Sequence, residues 1–284
     1  MTPSGRFQLL VWRLRLQLRK SELLRWLVSR IRALLPDTRE RHLRGEVGFW
    51  DRWLATQGLH WPDDYEYRLD PSGAVHEPLA SILDSMAKTD LEILDVGAGP
   101  LTVIGKTHPG KRLSITATDV LAREYNALLD KFGVSPPVRT QFAEAEKLRE
   151  QLAGRHFDIV HAQNSLDHSA DPMAGIEEML ALTRPGGLVV LIHEENEGQN
   201  ELYYALHKWD FACEDGHFVV GGPGPDGPRR DVTEMLAGKA EVECWSDGEC
   251  VYVAVAKKAQ APISSTRSTG RHGSRAPAAA ATRR

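Results

Sequence analysis

Cysteine is scarce in this chain. Cys213, Cys244 and Cys250 are the only three in 284 residues, an odd set without the close paired spacing of a metal knuckle. That excludes a disulfide scaffold and a cysteine-built zinc module, and with no cleavable signal-type segment at the start it points to a reducing cytoplasm. Long apolar runs are missing too. The most apolar stretch, residues 7–35, is broken by arginine every few residues, so nothing there matches the roughly eighteen consecutive apolar residues of a membrane span. No internal repeat occurs. Residues 259–284 contain Ile263 as their one large apolar side chain. Such a Ser/Thr/Pro/Ala/Arg-rich segment cannot bury enough surface to offset its ordering entropy, and it reads as a disordered basic tail.

Acids are few at both ends and crowded between them. Residues 1–44 hold eleven Lys/Arg against three acids and residues 257–284 hold seven against none, while the stretch from 45 to 256 holds seventeen against thirty-six. An acidic body of this kind argues against a nucleic acid substrate, whereas the basic arms suit an anionic surface. Within the first arm, residues 21–35 place Leu23, Leu24, Leu27, Val28, Ile31, Leu34 and Leu35 on one helical arc opposite Arg25, Ser29 and Arg32, with Pro36 as the stop. Two readings of this basic amphipathic helix stand side by side: packing against the protein or a partner, and peripheral contact of residues 1–35 with anionic membrane, favoured by Trp12 and Trp26. The alternating segment 12–19 is open between helix and strand.

From residue 91 the pattern becomes short aliphatic runs, LEILDV, LSITAT, VRTQF, FDIVHA and GLVVLIH, separated by helical stretches. That alternation predicts a doubly wound α/β fold with a mostly parallel sheet. The runs AEVECW and CVYVAVAK are joined by SDGE, whose Asp247-Gly248 is a hairpin signal, so an antiparallel edge is expected. Residues 46–70 are rich in Trp and Tyr and read as a helical cap, and 221–228 (GGPGPDGP) as a loop. The division that follows is a basic arm over 1–44, a cap over 45–90, a main domain over 91–258 and a tail over 259–284.

In such sheets the ligand lies at the carboxyl ends of the strands, which directs attention to Asp95-Val-Gly-Ala-Gly-Pro100. A pyrophosphate-binding turn wants a third glycine at 102 and no anion nearby. This chain has Thr102 and Pro100, and Asp95 stands two residues before Gly97, which suits a cationic ligand. Asp119 follows at the end of the next predicted strand, where a carboxylate accepts hydrogen bonds from both hydroxyls of a ribose.

These residues, together with EAEKL at 144–148, FDIVHAQNSLDHSADP at 157–172 and LTRPGGLVVLIH at 182–193, give the chain its likeness. It resembles the class I S-adenosylmethionine-dependent methyltransferases from about residue 91 to 257. The resemblance implies a Rossmann-like seven-stranded sheet and S-adenosylmethionine as cofactor. It further implies that Asp95, Gly97, Ala98 and Gly99 hold the methionine part, that Asp119 and Val120 hold the ribose, that Glu144 replaces the Asp that reaches adenine in relatives, and that Asn164 lines the floor beneath the sulfonium. Residues 46–61, with HEENEG and LHKWDF, are similar to bacterial methyltransferases of this superfamily that have no assigned substrate and are associated with sugar and envelope biosynthesis. A small-molecule or glycan hydroxyl is therefore the expected acceptor. The alternative is a non-catalytic protein of the same fold acting through its arms.

For the base that takes the acceptor's proton, His193 is the first candidate and His168 the second. Both follow predicted strands, and imidazole's ordinary pKa of about 6.5 lets it accept a proton near neutrality. Glu194 and Glu197 neighbour His193, and Asp167 neighbours His168. Asp158 and His161 read as structural. A metal set of His193, Glu194, His207 and Asp210 is conceivable, but it lacks the i, i+4 pairing of a helix-borne zinc site, so no metal is expected. Trp209 reads either as core packing or as a sugar-stacking platform.

Overall fold

The computed structural model describes residues 38–258. The basic helix at 21–35 with its proposed membrane contact and the tail at 259–284 lie outside them. α1 (Arg39–Ala55), α2 (Pro62–Leu69) and α3 (Leu79–Ser85) form the cap, and α1 runs across the charge boundary between residues 44 and 45. The Thr38 hydroxyl caps α1 by accepting from Arg41 N–H, with Glu40 in the first turn and Arg52 in the last, both complementing the helix dipole.

The main sheet has seven strands in the order β3-β2-β1-β4-β5-β10-β9: β1 (Asp90–Val96), β2 (Arg112–Asp119), β3 (Gln141–Phe142), β4 (Phe157–Gln163), β5 (Thr183–Glu194), β9 (Ala240–Ser246) and β10 (Cys250–Lys257). Strands β1 to β5 pair in parallel, whereas β10 runs antiparallel to both β5 and β9. The expected antiparallel hairpin is therefore present, turning at Asp247 and Gly248. Crossover helices are α4 (Ala122–Phe132), α5 (Leu148–Gln151) and α6 (Pro172–Leu182). α6 starts where Asp171 accepts from the N–H groups of Met173 and Ala174 and Pro172 takes the first helical position. β1 is a near-continuous apolar run because both its faces are covered. Leu91 and Ile93 pack toward Leu79 and Leu83 of α3, while Leu94 and Val96 face Ile176 and Met179 of α6. A third cluster seats Trp53 and Leu54 of α1 against Leu101 and Leu129.

Two features differ from the sequence expectation. β5 begins earlier than the run GLVVLIH, taking in Arg184-Pro-Gly-Gly187, with a register shift opposite β4 between Phe157 and Ile159. Between β5 and β9 the chain builds α7 (Glu197–Asn200) and a second, three-stranded sheet of β6 (Asp210–Glu214), β7 (His217–Gly221) and β8 (Arg229–Asp231), closed by α8 (Val232–Leu236). Phe211, Phe218 and Val220 of this sheet are buried in the same core cluster as β4 and β5.

Candidate active site

The glycine turn follows β1, where Gly97 and Gly99 have φ of 70° and 64°, a conformation that favours glycine. Two N–H groups of the turn, from Gly97 and Ala98, donate to the Thr118 carbonyl of β2. A Cβ on Gly97 would stand 2.4 Å from the Ser165 Cβ. Ser165 itself donates to the Val96 carbonyl at 3.0 Å, so the turn after β1 and the loop after β4 lie in direct contact. Asp95 is buried beneath the turn. The Thr102 hydroxyl donates to one of its carboxylate oxygens at 2.5 Å, and His161 Nδ1 meets the other at 2.8 Å. Thr102, which displaces the third glycine of a phosphate-binding turn, thus serves as the partner of the buried acid. His161 is a satisfied core histidine, as its position in β4 suggested, and it orients Asp95.

Asp119 ends β2 with each oxygen accepting one backbone N–H, from Gly99 at 3.1 Å and from Leu121 at 2.8 Å. Burial pushes its carboxyl up to about 6, against the pull of those two hydrogen bonds. The Glu144 carboxylate meets Lys147 at 2.9 Å, a contact that holds it below the usual range. Asn164, at φ 45°, accepts from Glu194 N–H at 3.0 Å and so ties the end of β4 to the end of β5.

All eight residues expected to bind the cofactor, Asp95, Gly97, Ala98, Gly99, Asp119, Val120, Glu144 and Asn164, line one cleft with a cavity of about 210 Å³. His168 lines it as well. His193 does not: it is 2% exposed, stacked on Phe211 with ring centroids 4.4 Å apart, and neither ring nitrogen has a hydrogen-bond partner. Burial lowers its pKa to about 4. The end of β5 passes under the second sheet, which the sequence pattern did not reveal, and this covers the imidazole. Trp209 is likewise buried and donates to the Ser169 carbonyl at 3.0 Å, so it packs and is not free to stack on a sugar. Asp158 is structural, bound by Lys88, the Glu92 N–H and Arg184.

The cap supplies residues that sequence reasoning left out: Arg39, Glu46, Trp50 and Arg68 line the same cleft. Trp50 Nε1 donates to Glu46 at 2.9 Å, and Arg68 donates to the Leu101 carbonyl at 2.8 Å with its guanidinium 5.8 Å from the Trp50 ring. The i, i+4 spacing of Glu46 and Trp50 was a readable signal for one helix face, but nothing in the sequence said that this face closes the cleft.

Beyond the cleft wall lies a second polar group. Asp167 Oδ2 is 2.9 Å from His207 Nδ1 and 3.2 Å from His168 Nε2, and the two imidazole nitrogens are 3.2 Å apart. Burial would raise the Asp167 carboxyl, but His168 and His207 outweigh it and bring the carboxyl down to about 2. His207 moves the other way: burial opposes its protonation, yet Asp167, Glu197 and Glu201 carry its pKa above the ordinary value. The metal set conceivable from sequence is not assembled. Asp210 is held instead by the Gln199 N–H and the Tyr203 hydroxyl, and His193 is enclosed.

The donor set fits a cationic nucleoside without phosphate. Carboxylates of Glu46 and Asp119 and apolar Val120, Leu121 and Ala143 share the cleft, with Asp95 a buried acid beneath the turn; Asp119 keeps lone pairs beyond its two backbone contacts, and no third glycine opens the turn to a pyrophosphate.

Residues 94–191 match the family model described as a methyltransferase domain. Among solved structures, the chain is similar to the CurJ carbon methyltransferase at 16% identity, covering 64% of this chain and 52% of that one with a TM-score of 0.47. An O-methyltransferase family protein from Burkholderia thailandensis gives 12% identity, 65% and 57% coverage and a TM-score of 0.42. The DhpI-SAH complex gives 14% identity, 76% and 96% coverage and a TM-score of 0.42. The chain thus spans little more than half the length of the first two. No curated protein matches the sequence. The methyltransferase-domain match begins in β1 and ends in β5, over the same strands that carry the acid-lined cleft, so this part of the chain is similar to the methyltransferase domain family.

Proposed function

We propose that the protein is a cytoplasmic methyltransferase that acts on a hydroxyl oxygen of a small molecule or glycan. The observation that carries this reading is His168, an imidazole on the cleft wall with a buried carboxylate behind it. A hydroxyl must lose a proton as it takes a methyl group, and such a pair is suited to receive one. S-adenosylmethionine, when bound, supplies an electrophilic methyl group on a sulfonium.

The chain's own residues divide the work. Asp119 and Val120 hold the ribose, Glu144 faces the adenine side, and the turn from Gly97 to Gly99 closes on the methionine part with Asp95 fixing its shape from below. Glu46 and Arg39 of α1 complete the polar wall. Asn164 keeps the ends of β4 and β5 in register at the floor. With Nε2–H directed at Asp167, His168 is held in the tautomer whose Nδ1 accepts a proton, the carboxylate stabilising the imidazolium that forms. Most of the rate comes from holding the acceptor in line, which reaction geometry rewards more than any single charge. His193, the first candidate from sequence, leaves this role to His168.

The test is release of S-adenosylhomocysteine by purified protein offered hydroxylated acceptors, phenols, free sugars and oligosaccharides, with S-adenosylmethionine. Methylation at oxygen supports the proposal. Binding of the cofactor without turnover on any acceptor class moves the protein to the non-catalytic alternative. The arm at 1–35 is proposed to touch anionic membrane, on the strength of its arginines with Trp12 and Trp26. Flotation with phosphatidylserine vesicles at low salt checks this, and failure of full-length protein to float rejects it. Among the described residues no helix is long and apolar enough to cross a membrane.

A further inference from the structure

We infer that Asp167, His168 and His207 form a binding site for a divalent transition-metal ion at the wall of the cofactor cleft. The three donor atoms, Asp167 Oδ2, His168 Nε2 and His207 Nδ1, are separated from one another by 2.9, 3.2 and 3.2 Å. In a tetrahedral zinc site with bonds of about 2.0–2.1 Å, neighbouring donors stand about 3.3 Å apart. The trio therefore already has the spacing of three corners of such a tetrahedron.

Ordinary hydrogen bonding accounts poorly for the same arrangement. If both imidazoles donate to Asp167 Oδ2, two N–H groups face each other at 3.2 Å with no acceptor between them. If one nitrogen is unprotonated to relieve that, the carboxylate loses a donor. In either case the other oxygen, Asp167 Oδ1, is buried without any partner, on a side chain only 5% exposed. A buried carboxylate oxygen left alone is costly, and a cation coordinated by the carboxylate compensates both oxygens at once.

The segments that carry the ligands are fixed before any ion arrives. The His168 N–H donates to the Ser165 carbonyl, and the Lys208 N–H donates to the Asp167 carbonyl, stitching the loop after β4 to the chain before β6. His168 and His207 remain 23% and 30% exposed, so an ion has a way in. Two imidazoles and one carboxylate select a borderline cation such as Zn2+ or Co2+ over Mg2+ or Ca2+. The fourth position is left for water or for Glu197, whose carboxylate is 3.6 Å from His207 Nδ1. A second His/Asp/Glu group, His217, Asp231 and Glu234, is open to solvent and has no orphaned atom, which makes it a control.

For function, the inference rests on the proposed placing of the acceptor beside His168. In the ion-loaded protein that histidine would be a ligand in place of a base; an acceptor hydroxyl at the open fourth position would be acidified by the cation, and its proton would pass to the Glu197 carboxylate beside His207.

The experiment is a titration of chelator-treated full-length protein with Co2+, without methyl donor or acceptor. One equivalent is expected to bind, with the visible d–d absorption of a four-coordinate ion, and Zn2+ is expected to displace it. His168→Ala and His207→Ala, checked for folding by circular dichroism, are each expected to lose at least about tenfold in Co2+ affinity, and His217→Ala none. The inference is overturned if folded wild-type protein takes up no Co2+, or if both cleft variants bind it as tightly as wild type. Because neither cofactor nor acceptor is present, failure here leaves methyl transfer untouched, and failure of the acceptor screen leaves the metal result standing.

Discussion

The two halves of the cleft are built by different means. On the side of β1 and β2 the polar groups come from strand ends and the turns directly after them, Asp95, Gly97, Gly99 and Asp119, and their backbone partners lie nearby in the same sheet. On the side of β4 and β5 they converge from segments some forty residues apart, Asp167 and His168 from one loop and His207 from another. The first half is a property of the sheet. The second depends on how a separate small sheet is seated against it, so a change in one half should leave the other intact.

The largest effect expected is on turnover. His168→Gln should lower it by about 10² to 10⁴-fold with little change in cofactor affinity. Steady-state rates alongside calorimetric binding would show whether the halves separate in this way, and a parallel loss of both quantities would mean that they do not. Next comes Asp119→Ala, which removes an ionised acceptor and should weaken cofactor binding by about 1.5–3 kcal/mol. Unchanged affinity in calorimetry would take the ribose contact away from this residue.

The same carboxylate gives a smaller, pH-dependent effect confined to the first half. Its pKa in the free protein is raised to about 6, and the ionised form is the better hydrogen-bond acceptor. Cofactor affinity should therefore rise with pH through about 6 and level off above 7, falling about tenfold between pH 7 and pH 5. Stability linkage runs in the opposite sense. A folded-state pKa above the unfolded value contributes stability that is present below about pH 4 and is lost as pH rises through about 6. Asp119→Asn, which cannot ionise, should flatten the binding profile.

The smallest effect tests the second half's buried core. His193→Phe removes two unpartnered nitrogens and keeps the stack on Phe211, so it should be neutral or stabilising by about 1 kcal/mol, with turnover near wild type. In the wild type, a folded-state pKa of about 4 means that His193 contributes stability above pH 6.5 and loses it as pH falls through 4. The variant should accordingly resist acid better in thermal melts. A collapse of turnover in folded His193→Phe would restore the catalytic role that its sequence position suggested.

What could be read in advance follows the same division. The parallel strands, the antiparallel hairpin at Asp247-Gly248 and the acids at the ends of β1 and β2 are local patterns of hydrophobicity and turn chemistry, so they are visible in sequence. His193 was read as available because it sits in a polar run at a strand end, and Trp209 was left open between core packing and sugar stacking. Both are buried because β6 and β7 cover them, and that is a long-range event with no local signature. Arg39, Glu46 and Arg68 escaped notice for the related reason that a cap helix shows which face is apolar, not which cleft it closes. The cluster of Asp167, His168 and His207 was half seen: the Asp-His pair was noted, and its third member, forty residues on, was assigned to a different set.

The insertion between β5 and β9 bears on how such a protein diversifies. It is one contiguous stretch, entered at the end of β5 and left at the start of β9, and of its described residues Leu206 lines the cleft while His207 stands just behind it. A stretch of another length or shape would change that wall of the cleft while the strand-end hydrogen bonds of β1 and β2 stay in place, provided it refills the core positions held by Phe211, Phe218 and Val220; a laboratory chimera joined at residues 196 and 239 is the corresponding engineering test.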